Sequence, residues 1–237
     1  VIDCGRDDLR LDLVLSYFDQ WMLDYKDTFI HLAKDNKDLY IRANNRFSDV
    51  YKRSIRRKTK RLHKFKFDLK LELTLDPKQF LTLYLMFRYL PHAWNRFHSW
   101  IEKKYGKFEF LRVLEIQKKG RPHLHVLFAF YDKKVSKMFC LMNGRQNKRI
   151  FDAFYKEVKD EWHRCRGGHV WVKPIQGNLK LVNYVMKYMN KTLNTQNRVY
   201  SALLFASNVR MWSISRGFQV FANVGKKDLG WTYLGLE

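Results

Sequence analysis

Proline and glycine are scarce in this 237-residue chain, at 4 and 11. Cysteine is scarcer still: Cys4, Cys140 and Cys165 are odd in number and share no motif spacing, which excludes a disulfide-stapled scaffold and suits a reducing compartment. No uninterrupted apolar run approaches the roughly 20 residues of a membrane helix, so a soluble protein is expected. No secretory leader is recognisable at the amino terminus. Acid is also short, with 23 Asp+Glu against 46 Lys+Arg and a net charge of +23. Hydrophobic residues at 46% and aromatics at 16% nevertheless supply a core. That excludes a disordered polycation. A charge this large calls for a polyanionic partner without saying which one.

What charge there is lies unevenly. Residues 1–40 hold nine Asp against five Lys/Arg, whereas residues 41–66 hold eleven Lys/Arg and one acid, Asp49. Apolar residues at three- and four-residue steps (Leu11, Val14, Leu15, Phe18, Met22, Tyr25, Ile30) predict a helix over 8–34. A second helix is predicted over 39–61, with Tyr40, Phe47, Val50, Tyr51 and Ile55 on one side. The rest of that helix is basic, including Arg53, Arg56, Arg57, Lys58, Lys60 and Arg61 at its carboxy-terminal end. A solvated helix face can carry such charge, but eleven cations with one acid to pair them favour a phosphate-binding arm.

The period then switches. From Lys64 to Leu75 the set Phe65, Phe67, Leu69, Leu71, Leu73, Leu75 alternates with polar residues, which predicts a strand with one buried face. Asp76-Pro77 starts a helical pattern that runs to about Lys104, with a break or kink expected at Pro91. Strands at 108–117 and 123–130 flank the basic turn Lys118-Lys119-Gly120-Arg121-Pro122 and read as a hairpin. A helix follows at about 146–165, then a strand at 169–174. After it come a helix at about 178–193, a helical piece near 198–208 and a strand within 211–222. The order β-α-β-β-α-β predicts an α+β fold of ferredoxin- or RRM-like kind, a central antiparallel sheet with helices mainly on one face.

Two clusters could carry chemistry. His123 and His125 are two apart on one strand and face the same way, and Glu115 on the preceding strand can approach that face. Two imidazoles and a carboxylate suit a divalent metal with open coordination positions, although two His at alternate strand positions are often just a polar face. On the helix near 178–193, Tyr184 and Tyr188 stand one turn apart with Lys187 and Lys191 beside them. Val182, Val185, Met186, Met189 and Leu193 already supply the packing stripe there. Two phenols flanked by two ammonium groups suit attack on a phosphate. A third cluster, His163-x-Cys165-x3-His169, fits no zinc module.

Leu71-Glu-Leu-Thr-Leu75, Glu115-Ile-Gln-Lys-Lys-Gly120-Arg-Pro-His123-Leu-His125 and Tyr184-Val-Met-Lys-Tyr188-Met-Asn-Lys191 together resemble the three motifs of HUH endonucleases. The nearest resemblance is to the two-tyrosine rolling-circle replication initiators of small single-stranded-DNA phages and of bacterial and archaeal plasmids. It spans about 66–222 and includes Met211-Trp-Ser-Ile-Ser-Arg216-Gly217 as a closing strand. The resemblance implies a helical, basic extension at 1–63 and an endonuclease domain at 64–237. It implies metal-dependent nicking and joining of single-stranded origin DNA through a 5′-phosphotyrosine. His123, His125 and Glu115 would hold Mg²⁺ or Mn²⁺, and Tyr184 or Tyr188 would attack with Lys187 and Lys191 in support. Lys118, Lys119, Arg121, Arg216 and the 41–66 arm would hold DNA. The setting implied is the cytoplasm of a prokaryotic host, with host replication proteins as partners and no membrane. A non-catalytic RRM-like module would share the fold, but there the sheet should present stacking aromatics. An HUH relaxase usually places its tyrosine before the histidine motif, and single-strand transposases usually carry one tyrosine.

Overall fold

The computed structural model describes residues 11–26, 28–43, 45–142, 147–175, 182–188, 198–218 and 231–236. The chain is α+β, as its periodicities predict, with two antiparallel sheets of five and three strands. The larger sheet has the order β6-β3-β5-β4-β7, from β3 (Leu69–Leu75), β4 (Phe108–Ile116), β5 (Pro122–Phe130), β6 (Gly167–Pro174) and β7 (Trp212–Ile214). β3 is therefore an interior strand, with β5 on one side and β6 on the other.

Alternation along β3 sends Leu69, Leu71, Leu73 and Leu75 to one face, all essentially inaccessible. They join Leu124, Val126 and Phe128 of β5 beneath α3 (Leu83–Tyr105) and α5 (Lys148–Arg164). Thr82 caps α3 by accepting from Leu85 N, and Gly106 ends it at φ 80. Pro91 does not break this helix, contrary to expectation. Met86, Phe87, Leu90, Ala93, Trp94, Phe97 and Ile101 are buried along it. At about 1.5–3 kcal/mol for each large side chain, that burial outweighs the roughly 3 kcal/mol cost of an internal proline.

The helix predicted at 146–165 appears as α5. A helix missing from the sequence reading, α4 (Lys133–Met142), precedes it. α4 is short and buries only Phe139 and Met142 outright, so its period is weak. It is held by a buried acid: Asp68 accepts from Ser136 Oγ (2.5 Å) and from Phe130 N (2.8 Å).

The two predicted amino-terminal helices are shorter than expected. α1 (Leu11–Asp24) and α2 (Asp49–Lys60) flank a hairpin of β1 (Phe29–Lys34) and β2 (Lys37–Arg42). Its turn is Asp35-Asn36, with φ 48 and 58, a conformation these two side chains tolerate better than most. β8 (Thr232–Leu236) pairs with the other side of β1. α1 packs through Val14 and Phe18 on α7 (Arg198–Ser207). Arg46, part of the basic run in sequence, donates to the carbonyls of Leu204 (2.8 Å), Phe205 (3.3 Å) and Val209 (3.0 Å). It is a strut at the end of α7. Among the described residues no helix is long and apolar enough to cross a membrane.

Candidate metal and tyrosine site

The face of the sheet opposite the leucines carries the chemistry. The β4–β5 turn aligns its two strands so that Glu115 stands opposite His123 and Val113 opposite His125. Gly120 makes that turn at φ 79, and a Cβ there would lie 2.8 Å from Leu83 Cδ1 and 3.1 Å from Tyr200 Cε1. From the other side, β3 brings Glu72 opposite His125 and Thr74 opposite His123.

His123 and His125 are both buried, their rings 4.4 Å apart. His123 Nε2 and His125 Nδ1 carry no hydrogen bond. Both point toward Glu72, whose Oε2 is 3.8 Å from His123 Nε2 and whose Oε1 is 3.4 Å from His125 Nδ1. One ligand atom from each of the three residues lies within 4.8 Å of the others. Two buried imidazole nitrogens without partners, facing a carboxylate, are the donor set a divalent cation requires.

The far nitrogens of the same rings are fixed. Gln117 Nε2 is 3.3 Å from His123 Nδ1, and Glu115 Oε2 is 2.9 Å from His125 Nε2. Glu115, expected as the third ligand, thus sits behind the rings and orients them, while Glu72 stands in front. Burial, then the neighbouring His125, depress the His123 pKa to about 4, leaving its ring neutral with a lone pair to offer at neutral pH. Burial alone would raise Glu72. Its contacts with His125 and Lys70 prevail and bring it down to about 2.

Helix α6 (182–188) crosses this face and buries Val182, Val185 and Met186, as its apolar stripe predicts. The Tyr188 ring lies flat on the His125 ring, 3.7 Å between centroids and 13° between planes. The Tyr188 hydroxyl donates to the Tyr184 hydroxyl (2.5 Å), which points on to Glu72 Oε1 at 3.5 Å. Burial first, then the hydrogen bond to Tyr184, push Tyr188 up to about 12, so it keeps its proton as donor.

The family of replication-associated protein ORF2 matches residues 68–193, more than half of the chain. The chain belongs to that family. Replication initiation is the role this membership supports. No curated protein and no solved structure matches the chain. The matched segment of this replication-associated protein runs from the start of β3 past α6, so it contains every residue of the cluster just described.

Lys70, unforeseen in the sequence, is also part of that cluster. It is 2% exposed, its ammonium 2.7 Å from Glu72 Oε1, 3.6 Å from the Tyr184 ring centroid and 4.8 Å from that of Trp171. Alternation alone would leave it on a solvated face, and α6 is what covers it. Of the other expected residues, Lys187 is exposed on α6, and Lys191 lies outside the described residues. Arg53, Arg56, Arg57, Lys60 and Arg61 are exposed on α2 and the turn after it, with Lys58 half-buried. α2 reaches the same face of the sheet as the histidines, where the Tyr51 hydroxyl accepts from Trp212 Nε1 at 3.0 Å. Lys118, Lys119 and Arg121 occupy the turn just before His123, and Arg216 is exposed beside a cavity lined by Glu109 and Tyr131. His163, Cys165 and His169 do not converge: His163 Nε2 meets Gly168 O at 3.1 Å, and Cys165 is buried.

Glu72 and Lys70 were missed as site residues because both belong to a strand distant from the histidines in sequence. The available signal was the alternation itself, which sets Lys70, Glu72 and Thr74 on one face of β3.

Proposed function

We propose that this replication-associated protein initiates rolling-circle replication as an HUH-type, two-tyrosine endonuclease, cutting and rejoining single-stranded origin DNA through a 5′-phosphotyrosine. The single observation that carries the reading is the pair of unpartnered imidazole nitrogens facing Glu72, with a hydrogen-bonded tyrosine pair beside it.

His123, His125 and Glu72 would hold Mg²⁺ or Mn²⁺, with Glu115 and Gln117 holding the rings. Lewis-acid polarisation of the scissile phosphate is the chemistry such an ion supplies when bound. The chain's own groups do the rest. Tyr184 or Tyr188 attacks phosphorus through its phenol oxygen; the new P–O bond forms as the bond to the 3′-oxygen breaks. The phenol proton is lost and the departing 3′-oxygen gains one, leaving a free 3′-hydroxyl for host replication proteins to extend. With Tyr188 holding its proton and donating it to Tyr184, the Tyr184 oxygen is the one supported as negative charge develops. The phosphotyrosine keeps the energy of the broken bond, so the second phenol rejoins ends without ATP. Lys187, Lys191, the β4–β5 turn, Arg216 and the α2 cations would hold the phosphates. The reading sets the reaction in the cytoplasm of a prokaryotic host.

Incubating origin-derived single strands with protein and Mn²⁺ and resolving the products on a denaturing gel tests this. A covalent protein–DNA adduct is expected from the wild type, lost with EDTA and in the Tyr184→Phe/Tyr188→Phe double variant. An adduct that survives in the double variant, or cleavage indifferent to His123→Ala, overturns it.

A further inference from the structure

β6 forms one edge of the five-stranded sheet, and its residues alternate strictly. Val170, Val172 and Pro174 are buried, while His169, Trp171 and Lys173 are exposed. Register sets Trp171 opposite Glu72 and Lys173 opposite Lys70, so the exposed set lies on the face that carries the histidines and tyrosines. Trp171 is 38% exposed, an unusual outlay of indole surface on a sheet whose other face has abundant aromatic packing.

Its ring is braced from the site side. The Lys70 ammonium lies 4.8 Å from the Trp171 centroid and 3.6 Å from that of Tyr184, and is tied to Glu72 at 2.7 Å. A cation against an aromatic face holds the indole in place. Adjacent strands stand about 4.8 Å apart, so the indole lies one strand from the Glu72 carboxylate. Residues at alternate positions are roughly 6.6 Å apart along the strand, which places an imidazole and an ammonium on either side of the ring.

We propose that Trp171 is a base-stacking subsite: one unpaired base of the single-stranded DNA lies on the exposed indole, with Lys173 and His169 against the flanking phosphates. This deepens the nicking reading and rests on it for the identity of the strand. Stacking accepts any base, so the subsite contributes affinity and fixes which phosphodiester reaches the tyrosines, without reading sequence. The net charge of +23 suits the polyanion, and the indole suits its bases.

The test measures fluorescence anisotropy in EDTA, so that no cleavage intervenes. The probes are a labelled oligothymidylate of about 20 nucleotides and an abasic strand with the same phosphates. Wild type should prefer the thymidylate, and Trp171→Ala should lose roughly 5- to 150-fold of that affinity while binding the abasic strand as before. Trp171→Phe should restore most of the loss. Thermal melting checks that the exposed substitution leaves the fold intact. Equal affinity of Trp171→Ala and wild type for thymidylate, or an equal loss on both strands, overturns the subsite. Wild type that binds no single strand sinks both the subsite and the function it rests on. Selective loss on thymidylate, in a protein that never forms a covalent adduct, upholds the subsite and sinks nicking alone.

Discussion

Glu72→Gln removes one negative charge from the centre of the site and changes little else in shape. In the metal-free protein the Lys70 ammonium, 2% exposed, would then face a neutral amide at the 2.7 Å now spanned by an ion pair. The depression of Glu72 from 4.5 to about 2, at about 1.4 kcal/mol per pKa unit, corresponds to about 3 kcal/mol before screening. Partial solvent access at the carboxylate reduces this to about 1–2 kcal/mol. Because the folded-state pKa is lowered, this stabilisation is fully present above the ordinary carboxyl value and is lost as pH falls through about 2. Urea unfolding in EDTA should therefore find the variant about 1–2 kcal/mol less stable at pH 7, with the gap closing between about pH 4.5 and pH 2. Addition of Mn²⁺ should raise the melting temperature of the wild type and do so much less for the variant. Equal stability of the two proteins at pH 7 in EDTA, together with an equal response to Mn²⁺, would refute the electrostatic argument for this site.

Tyr188→Phe keeps the ring on His125 but deletes the donor to the Tyr184 oxygen; adduct formation should slow roughly ten- to hundred-fold, the worth of one hydrogen bond to a charged oxygen, and an unchanged single-turnover rate would count against the proton arrangement. Arg46→Met strips donors from the carbonyls of Leu204, Phe205 and Val209 and should cost about 1.5–3 kcal/mol in urea unfolding. Arg57→Ala, on the exposed side of α2, should leave stability unchanged and lower the salt dependence of single-strand binding by about one phosphate contact; the reverse pattern for these two arginines would show that strut and arm are wrongly divided. Gly120→Ala forces a side chain into positive φ against Leu83 and Tyr200, and should lower the melting temperature by a few degrees, about 1–2 kcal/mol; an unchanged melting temperature would mean the turn can relax.

Period and motif spacing were legible before any coordinates. The strict alternation before Leu75, the two histidines on one strand face and the tyrosines one helical turn apart all follow from repeats of about 2.0 and 3.6 residues, which any backbone of that type must obey. Glu115 was visible for the same reason, since it lies just across a short turn from His123. Local rules failed where two weak signals competed. Residues 25–42 carry enough spaced apolar side chains to resemble a helix, and the hairpin is decided by Asp35-Asn36 accepting left-handed backbone and by β8 adding a third strand. Pro91 reads as a break until the burial around it is known.

The sequence by itself determined the α+β class, the antiparallel hairpin that carries the histidines and the pairing of two phenols on one helix, because each depends on contacts within a few tens of residues. The tertiary structure alone decided that Glu72 faces the open nitrogens while Glu115 lies behind them, that Lys70 is buried between two aromatic rings, and that Arg46 is a strut apart from the exposed cations of α2. Those assignments depend on strand order, and strand order is set when distant segments bury their apolar faces together. Alternation says which way a side chain points, and packing says what it meets there.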